Sequence, residues 1–186
     1  APQQEIVFCG VHFMAETAKI LNPKARVVVP DREAGCSLAD GCPPDEFAAF
    51  VAKHRETHPD LVVVSYVNTS AAVKALSDVI CTSSNAVEIV RHFADRPVLF
   101  APDRYLAAWV AKEAQRPDLI VWPGTCVVHE QFNAKALEQL RVRYPDAEVL
   151  SHPECPAAVL ELSHFVGSTK KIIDRAIASP ARTLII

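Results

Sequence analysis

"VSYVNTSAAVKALSDVICTSS", residues 64–84, lies over "LSHPECPAAVLELSHFVGSTK", residues 150–170, at a spacing of 86 with no gap. The overlay matches Ser65 with Ser151, Ala71 with Ala157, Ala72 with Ala158, Val73 with Val159, Leu76 with Leu162 and Ser77 with Ser163. In the same register Tyr66 falls over His152, Asn68 over Glu154 and Ser83 over Thr169. Residues able to bind ligand oxygens or move protons therefore recur inside a matched apolar frame. Duplicated units with different polar tips suggest one site built between them.

A second register runs backward from the first. "CGVHFMAETAKILNPKARVVVPDR" from Cys9 overlays "CTSSNAVEIVRHFADRPVLFAPDR" from Cys81 at a spacing of 72, matching Cys9 with Cys81 and Glu16 with Glu88. It also places Pro30-Asp31-Arg32 on Pro102-Asp103-Arg104. Carried forward, the spacing of 86 puts Leu184, Ile185 and Ile186 over Val98, Leu99 and Phe100. Three related units follow: residues 1–44 as the second half of a first unit, 45–130 as a complete middle unit, and 131–186 as the first half of a third. The sequence reads as a piece of something longer, since it starts without Met and stops on the strand-like "RTLII".

Short β-branched runs alternate with helix-period segments throughout. "EIVFCG", "ARVVVPD", "DLVVVSYV", "DVICTS", "PVLFAPD", "DLIVWPG", "AEVLSHP", "HFVGS" and "TLII" are the strand candidates. This is the alternation of βαβ units, and the fold class it predicts is α/β, with repeated small parallel-sheet, Rossmann-like α/β/α units. Half of the 186 residues are hydrophobic, enough for a real core. A net charge of -3 with no Lys/Arg run leaves no electrostatic footprint for nucleic acid or an anionic membrane, so a small ligand is expected. No apolar run approaches a membrane span and the start lacks the regions of a signal peptide, which makes a cytoplasmic protein the expectation.

In a parallel α/β layer, ligands bind beyond the carboxyl ends of the strands, where helix N-termini present free N–H groups. Tyr66 and Asn68 end one strand before a helix at Ser70. His152 and Glu154 end another before a helix opened by Pro156, a favoured first-turn residue. Ser83 with Ser84, and Ser168 with Thr169, read as N-caps. Four helix starts are thus predicted to face one pocket suited to carboxylate or phosphate. Taken singly, each residue has a plain alternative: a cap, an ordinary strand end, or a solvated His-Pro-Glu turn. Jointly, a phenol, an imidazole and a carboxylate at equivalent strand ends supply general acid/base chemistry near neutral pH.

The six cysteines are an even number, but the apolar content and missing export signal argue for reduced thiols. Cys9 and Cys81 read as small buried core residues. Cys36, in "DREAGCSLADG", and Cys126, in "WPGTCVVHE", lie in Gly-containing loops after strands and are the metal candidates. No CxxC pair accompanies them, so the spacing of a structural zinc site is missing. Cys42 reads as a loop residue and Cys155 as a helix-entry residue near the pocket. His129, three after Cys126, is either a residue behind the ligands or a surface histidine.

Together "FMAETAKILNP", "SYVNTSAAVKALSDVICTSSNAV", "PDRYLAAWV", "GTCVVHEQF", "HPECP" and "VGST" resemble the quinolinate synthase family, the A proteins of bacterial NAD biosynthesis. The motifs run in family order over nearly the whole chain. The resemblance implies three α/β domains around a pseudo-threefold axis, with a 4Fe-4S cluster at their junction held by one cysteine from each. By motif, Cys36 and Cys126 match two of these, and the third cysteine ligand is expected outside this chain. A His-containing strand and a substrate-binding Ser of the family are expected before Ala1. The family's substrate contacts match Tyr66, Val67, Asn68, Ser83, His152, Pro153, Glu154 and Thr169, with Tyr66, Glu154 and His152 as the catalytic set. The implied reaction condenses iminoaspartate (iminosuccinate) with dihydroxyacetone phosphate to quinolinate, with L-aspartate oxidase as supplier of the imine.

Two other readings compete. A non-catalytic α/β module gripping a small anionic or phosphorylated metabolite explains the caps but not two loop cysteines. A zinc hydrolase would use Cys or His ligands, for which the sequence offers no clustered motif.

Overall fold

The computed structural model describes residues 5–186. The elements run β1 (Glu5–Val7), α1 (His12–Leu21), β2 (Arg26–Val28), α2 (Ser37–Asp40), α3 (Pro44–Thr57), β3 (Val62–Tyr66) and α4 (Ala71–Ala75). There follow β4 (Val79–Cys81), α5 (Ala86–His92), β5 (Val98–Ala101), α6 (Arg104–Ala114), β6 (Ile120–Val121), α7 (Val127–Glu130) and α8 (Ala134–Arg143). The chain ends with β7 (Glu148–Ser151), α9 (Ala157–Glu161), β8 (Phe165–Val166), α10 (Thr169–Ala178) and β9 (Leu184–Ile185). Each of the nine strand candidates contains a strand.

All strand pairs among the described residues are parallel and fall into three sheets, ordered β1-β2, β4-β3-β5-β6 and β8-β7-β9. The fold is α/β with Rossmann-like parallel sheets. β3 and β5 are buried at every position, as strands covered on both faces must be, and their sequences are accordingly near-continuous apolar runs. Val64, Phe100, Leu106 and Val110 fill one side of this sheet; Phe47, Val63, Leu99 and Trp122 fill the other. None of the described helices is long and apolar enough to cross a membrane.

The spacing of 86 reappears as duplicated hydrogen bonds. Ser77 Oγ bridges Ser65 Oγ at 2.7 Å and the Val73 carbonyl at 2.9 Å. Ser163 Oγ bridges Ser151 Oγ at 2.7 Å and the Val159 carbonyl at 2.8 Å. One residue further on, the Val63 N–H donates to Asp78 Oδ2 at 2.8 Å, and the Val149 N–H donates to His164 Nδ1 at 2.9 Å. A carboxylate and an imidazole thus fill one acceptor position, which requires His164 to keep Nδ1 unprotonated. β4-β3-β5 and β8-β7-β9 have the same order in space, so the register in sequence is also a register in topology.

Several local expectations need correction. Cys9 is exposed, unlike Cys81. It lies just past β1, whose only partner among the described residues is β2, whereas Cys81 sits on β4 beside the buried β3. Neither Ser83 nor Ser84 caps a helix: α5 starts at Ala86 with Asn85 at the N-cap. The Asn85 side chain turns back instead, accepting from the Thr82 N–H at 2.7 Å, so both serines lie inside that turn. Ser70 and Ser168 do cap α4 and α10, accepting from the Val73 and Lys171 N–H groups. Thr169 is the first residue of α10 rather than a cap, and Pro156 occupies the N-cap of α9, one position before the first turn.

Candidate functional site

Beyond the carboxyl ends of β3 and β7 lies a cleft of about 540 Å³, lined by Tyr66, Asn68, His129, His152, Glu154 and Thr169 on its polar side. Ile172, Ile173, Ala176 and Ile186 form its apolar side. Two matched strand tips therefore meet at one opening. Tyr66 is the last residue of β3; His152 and Glu154 follow the last residue of β7.

Glu154 is the centre of the cleft's charge and is only 3% exposed. Its Oε2 lies 3.2 Å from His129 Nδ1, and its Oε1 lies 3.5 Å from His152 Nδ1. The His129 N–H is not aimed along the first of these lines, so that contact is electrostatic rather than an aligned hydrogen bond. Burial pushes the Glu154 carboxyl up, but His129, His152 and Tyr66 together outweigh it and hold the group below the usual carboxylate range. Glu154 in turn raises His129. His152 is shifted the other way, chiefly by burial and then by the nearby His129. The two imidazoles stack, with centroids 6.3 Å apart and planes 18° from parallel.

Tyr66 is buried and its phenol is pushed well above its ordinary value, first by burial and then by the charge of Glu154. It stays protonated across the neutral range. Ser83 interacts with the same phenol and is not among the residues of the cleft wall. Val67 and Pro153 are not on the wall either. The Val67 N–H donates to Cys81 at 2.8 Å, and its carbonyl accepts from Lys74 Nζ at 2.8 Å, so both backbone groups are engaged within the protein. Pro153 is buried in the turn.

Of the four helix starts expected at the pocket, α10 reaches it through Thr169. The first amide of α4 is already taken: the Ala71 N–H donates to Glu16 Oε2 on α1 at 2.8 Å. This tie fastens the first sheet's helix to the middle one. Lys74 reinforces it, lying 5.5 Å from the centre of the Phe13 ring.

Cys36 and Cys126 occupy equivalent local positions, each immediately before a four-residue helix, α2 and α7 respectively. Both are half-buried and pack against one core cluster, the one that contains Tyr66. Gly124 sets the approach of the second loop. A Cβ there would stand 2.4 Å from the Pro102 carbonyl oxygen, so only glycine lets the β6–α7 loop pass this close. No three His, Cys, Asp or Glu side chains gather as a metal-holding group among the described residues. Two thiols suited to an iron-sulfur cluster are present, a partial donor set.

Sequence reasoning left His129 open and passed over Asp103 as a chemical group. His129 belongs to the cleft. Asp103 caps α6, with its Oδ1 accepting from the Leu106 N–H at 2.6 Å, and is fully buried. The recurrence of Asp in both Pro-Asp-Arg triplets was the available signal.

A family profile described as Quinolinate synthetase A protein matches residues 1–186. A quinolinate synthase of Prochlorococcus marinus (strain MIT 9303) is 57% identical over 182 residues, covering 97% of this chain and 53% of the relative. Those of Synechococcus sp. (strain ATCC 27144 / PCC 6301 / SAUG 1402/1) and Chloroherpeton thalassium are each 53% identical, covering 97% of this chain and 55% of their own length. The chain spans about half the length of the curated relatives it matches.

Proposed function

The chain belongs to the Quinolinate synthetase A protein family, and from that premise we propose that its cleft is part of a quinolinate synthase site serving NAD biosynthesis. The reaction joins iminoaspartate to dihydroxyacetone phosphate and releases one phosphate and two waters for each quinolinate. An L-aspartate oxidase would supply the imine. Residues 1–44, 45–130 and 131–186 would be portions of three α/β units around the site. The observation that carries the reading is the convergence of Tyr66, His152 and Glu154, from two copies of one repeat, on a single opening.

The environments of the side chains support a division of work among them. Glu154 is held as a carboxylate chiefly by His129 and takes a proton from carbon beside a carbonyl or iminium. Tyr66 remains a phenol and donates toward a developing oxygen charge or a departing hydroxyl. His152 accepts the Glu154 N–H on Nδ1 at 3.4 Å, which leaves Nε2–H to polarise a carbonyl or pair with a substrate carboxylate. Asn68 and Thr169 offer an amide and a hydroxyl to carboxylate or phosphate oxygens. Ser83 interacts with the Tyr66 phenol and would help to hold it.

Cys36 and Cys126 would hold a 4Fe-4S cluster together with a third cysteine outside this chain. When bound, an iron left open by three thiolates supplies Lewis acidity toward a hydroxyl or carboxylate oxygen.

The test is turnover of the two substrates under anaerobic conditions by a polypeptide of the relatives' full length. Glu154→Gln should lower kcat by about 100-fold or more while iron content stays constant. Wild-type turnover in that variant would remove the acid/base role.

A further inference from the structure

Lys74, on α4, is a buried ammonium at the position where the matched helix α9 carries Leu160, and it is only 9% exposed. An apolar side chain therefore satisfies the packing of this place. Burial disfavours the charge and lowers Lys74 to about 8, with the carboxylate of Glu16 opposing the shift. Hydrogen bonds must compensate, and the structure supplies them. Nζ donates to the Val67 carbonyl at 2.8 Å and to the Thr69 carbonyl as well. These carbonyls stand on either side of Asn68.

The two strand-tip turns are stiffened in different ways. After β7 the chain reads His152-Pro153-Glu154-Cys155-Pro156, in which two prolines fix their own φ and the Cys155 N–H closes on the His152 carbonyl at 3.0 Å. After β3 it reads Tyr66-Val67-Asn68-Thr69-Ser70, with neither proline nor glycine. Thr69 Oγ1 donates to the Tyr66 carbonyl at 3.0 Å and the Thr69 N–H to the Val67 carbonyl at 2.8 Å, and Lys74 adds two more ties. The ammonium does in one turn what proline does in the other. The helix that carries it is itself fixed, since Ser70 caps α4 and Glu16 of α1 takes its first amide at 2.8 Å.

We propose that Lys74 is a positioning residue that acts through Asn68, its ammonium fixing the two carbonyls that flank Asn68 and so the direction in which the Asn68 amide enters the cleft. Asn68 lines the cleft and Lys74 does not. Lys74 forms no bond to substrate. Its effect on binding rests on the reading of the cleft as the substrate site; the clamp itself does not.

Two measurements test the proposal. In the isotope-labelled chain, wild type is compared with Lys74→Leu, which copies residue 160, and with Lys74→Met, which removes the donors but keeps an unbranched side chain. The backbone order parameter of Asn68 is expected near about 0.85 in the wild type and below about 0.6 in both variants. A rigid Asn68 in a folded variant would overturn the proposal. If neither variant folds, the wild type decides: an order parameter below about 0.6 overturns the clamp, and one near about 0.85 supports it.

In a polypeptide of the relatives' full length, Lys74→Leu should raise the KM for iminoaspartate or dihydroxyacetone phosphate by about tenfold, with kcat within about threefold of wild type. In an Asn68→Ala background the same substitution should add less than about twofold, since its effect passes through the amide already removed. A wild-type KM in the single variant would overturn the proposal. So would a further tenfold rise in the double variant, because the lysine would then act independently of Asn68. An inactive wild type would remove the proposed reaction and leave the order parameter to decide the clamp. A rigid Asn68 in the variants of an active enzyme would remove the clamp alone.

Discussion

His129 Nδ1 and Glu154 Oε2 stand 3.2 Å apart although the two residues belong to different sheets' connections, one on α7 after the middle sheet and one after β7 in the third. The pair ties the two repeats together at the cleft, and its shifts set opposite limits on pH. Glu154 is depressed, so its contribution to stability is present above about 4.5, its ordinary value, and disappears as pH falls through the lower folded value.

His129 is raised, so its contribution is complete below about 6.5 and is lost as pH rises through the higher folded value. Asp103, also raised, acts in the same direction at lower pH, losing stability for the fold as pH rises from about 4 to about 6. Urea unfolding as a function of pH should therefore show a decline above pH 6.5 in the wild type. His129→Gln should flatten that decline. A variant curve parallel to the wild type above pH 6.5 would contradict the pairing.

Ser77→Ala leaves the fully buried Ser65 hydroxyl without its 2.7 Å partner. We expect a loss of about 1–2 kcal/mol in urea unfolding. Ser163→Ala should cost a similar or smaller amount, since Ser151 is slightly less buried. The two bridges share no residue, so the double variant should show the sum of the single effects to within about 0.5 kcal/mol.

Gly124→Ala asks a methyl group to occupy space 2.4 Å from the Pro102 carbonyl oxygen. The loop must move, and a cost of about 1–3 kcal/mol is expected. Because that loop carries both Cys126 and the approach to His129, the same substitution should alter the His129 NMR resonance. A neutral effect on stability would mean that the loop accommodates the methyl group by moving elsewhere.

Iron and sulfide per polypeptide, measured after anaerobic reconstitution in the relatives' full length, test the thiol assignment. Cys36→Ser and Cys126→Ser should each reduce both to background. Cys9→Ser is the control, since its thiol is exposed and lies outside the cleft, and it should retain wild-type content. Full loading of the Cys126 variant would remove it as a ligand.

The strands were legible because each is a short β-branched run and the covered ones are apolar without interruption. The pairing of Tyr66 with Glu154 was legible because the repeat carries both to the same end of equivalent strands. The start of α5 was not: Thr82, Ser83, Ser84 and Asn85 are all good caps, and only the folded turn decides that Asn85 comes last. Cys9 misled because its match with Cys81 is a match of sequence position, while burial depends on what packs over the residue: Cys81 belongs to the core cluster of the middle sheet and Cys9 does not. His129 and Asp103 acquire their meaning from contacts across connections, which no periodicity within one segment records.

The serine bridges of the two repeats hold each strand at the residue just before Tyr66 and just before His152. Tyr66 and His152 consequently project from anchored mounts, and their identities are free of the joint beneath them. An engineer wishing to redirect the chemistry has two interchangeable sockets at 66 and 152, where exchanging the side chains between them should preserve the scaffold while reversing which wall of the opening carries the phenol.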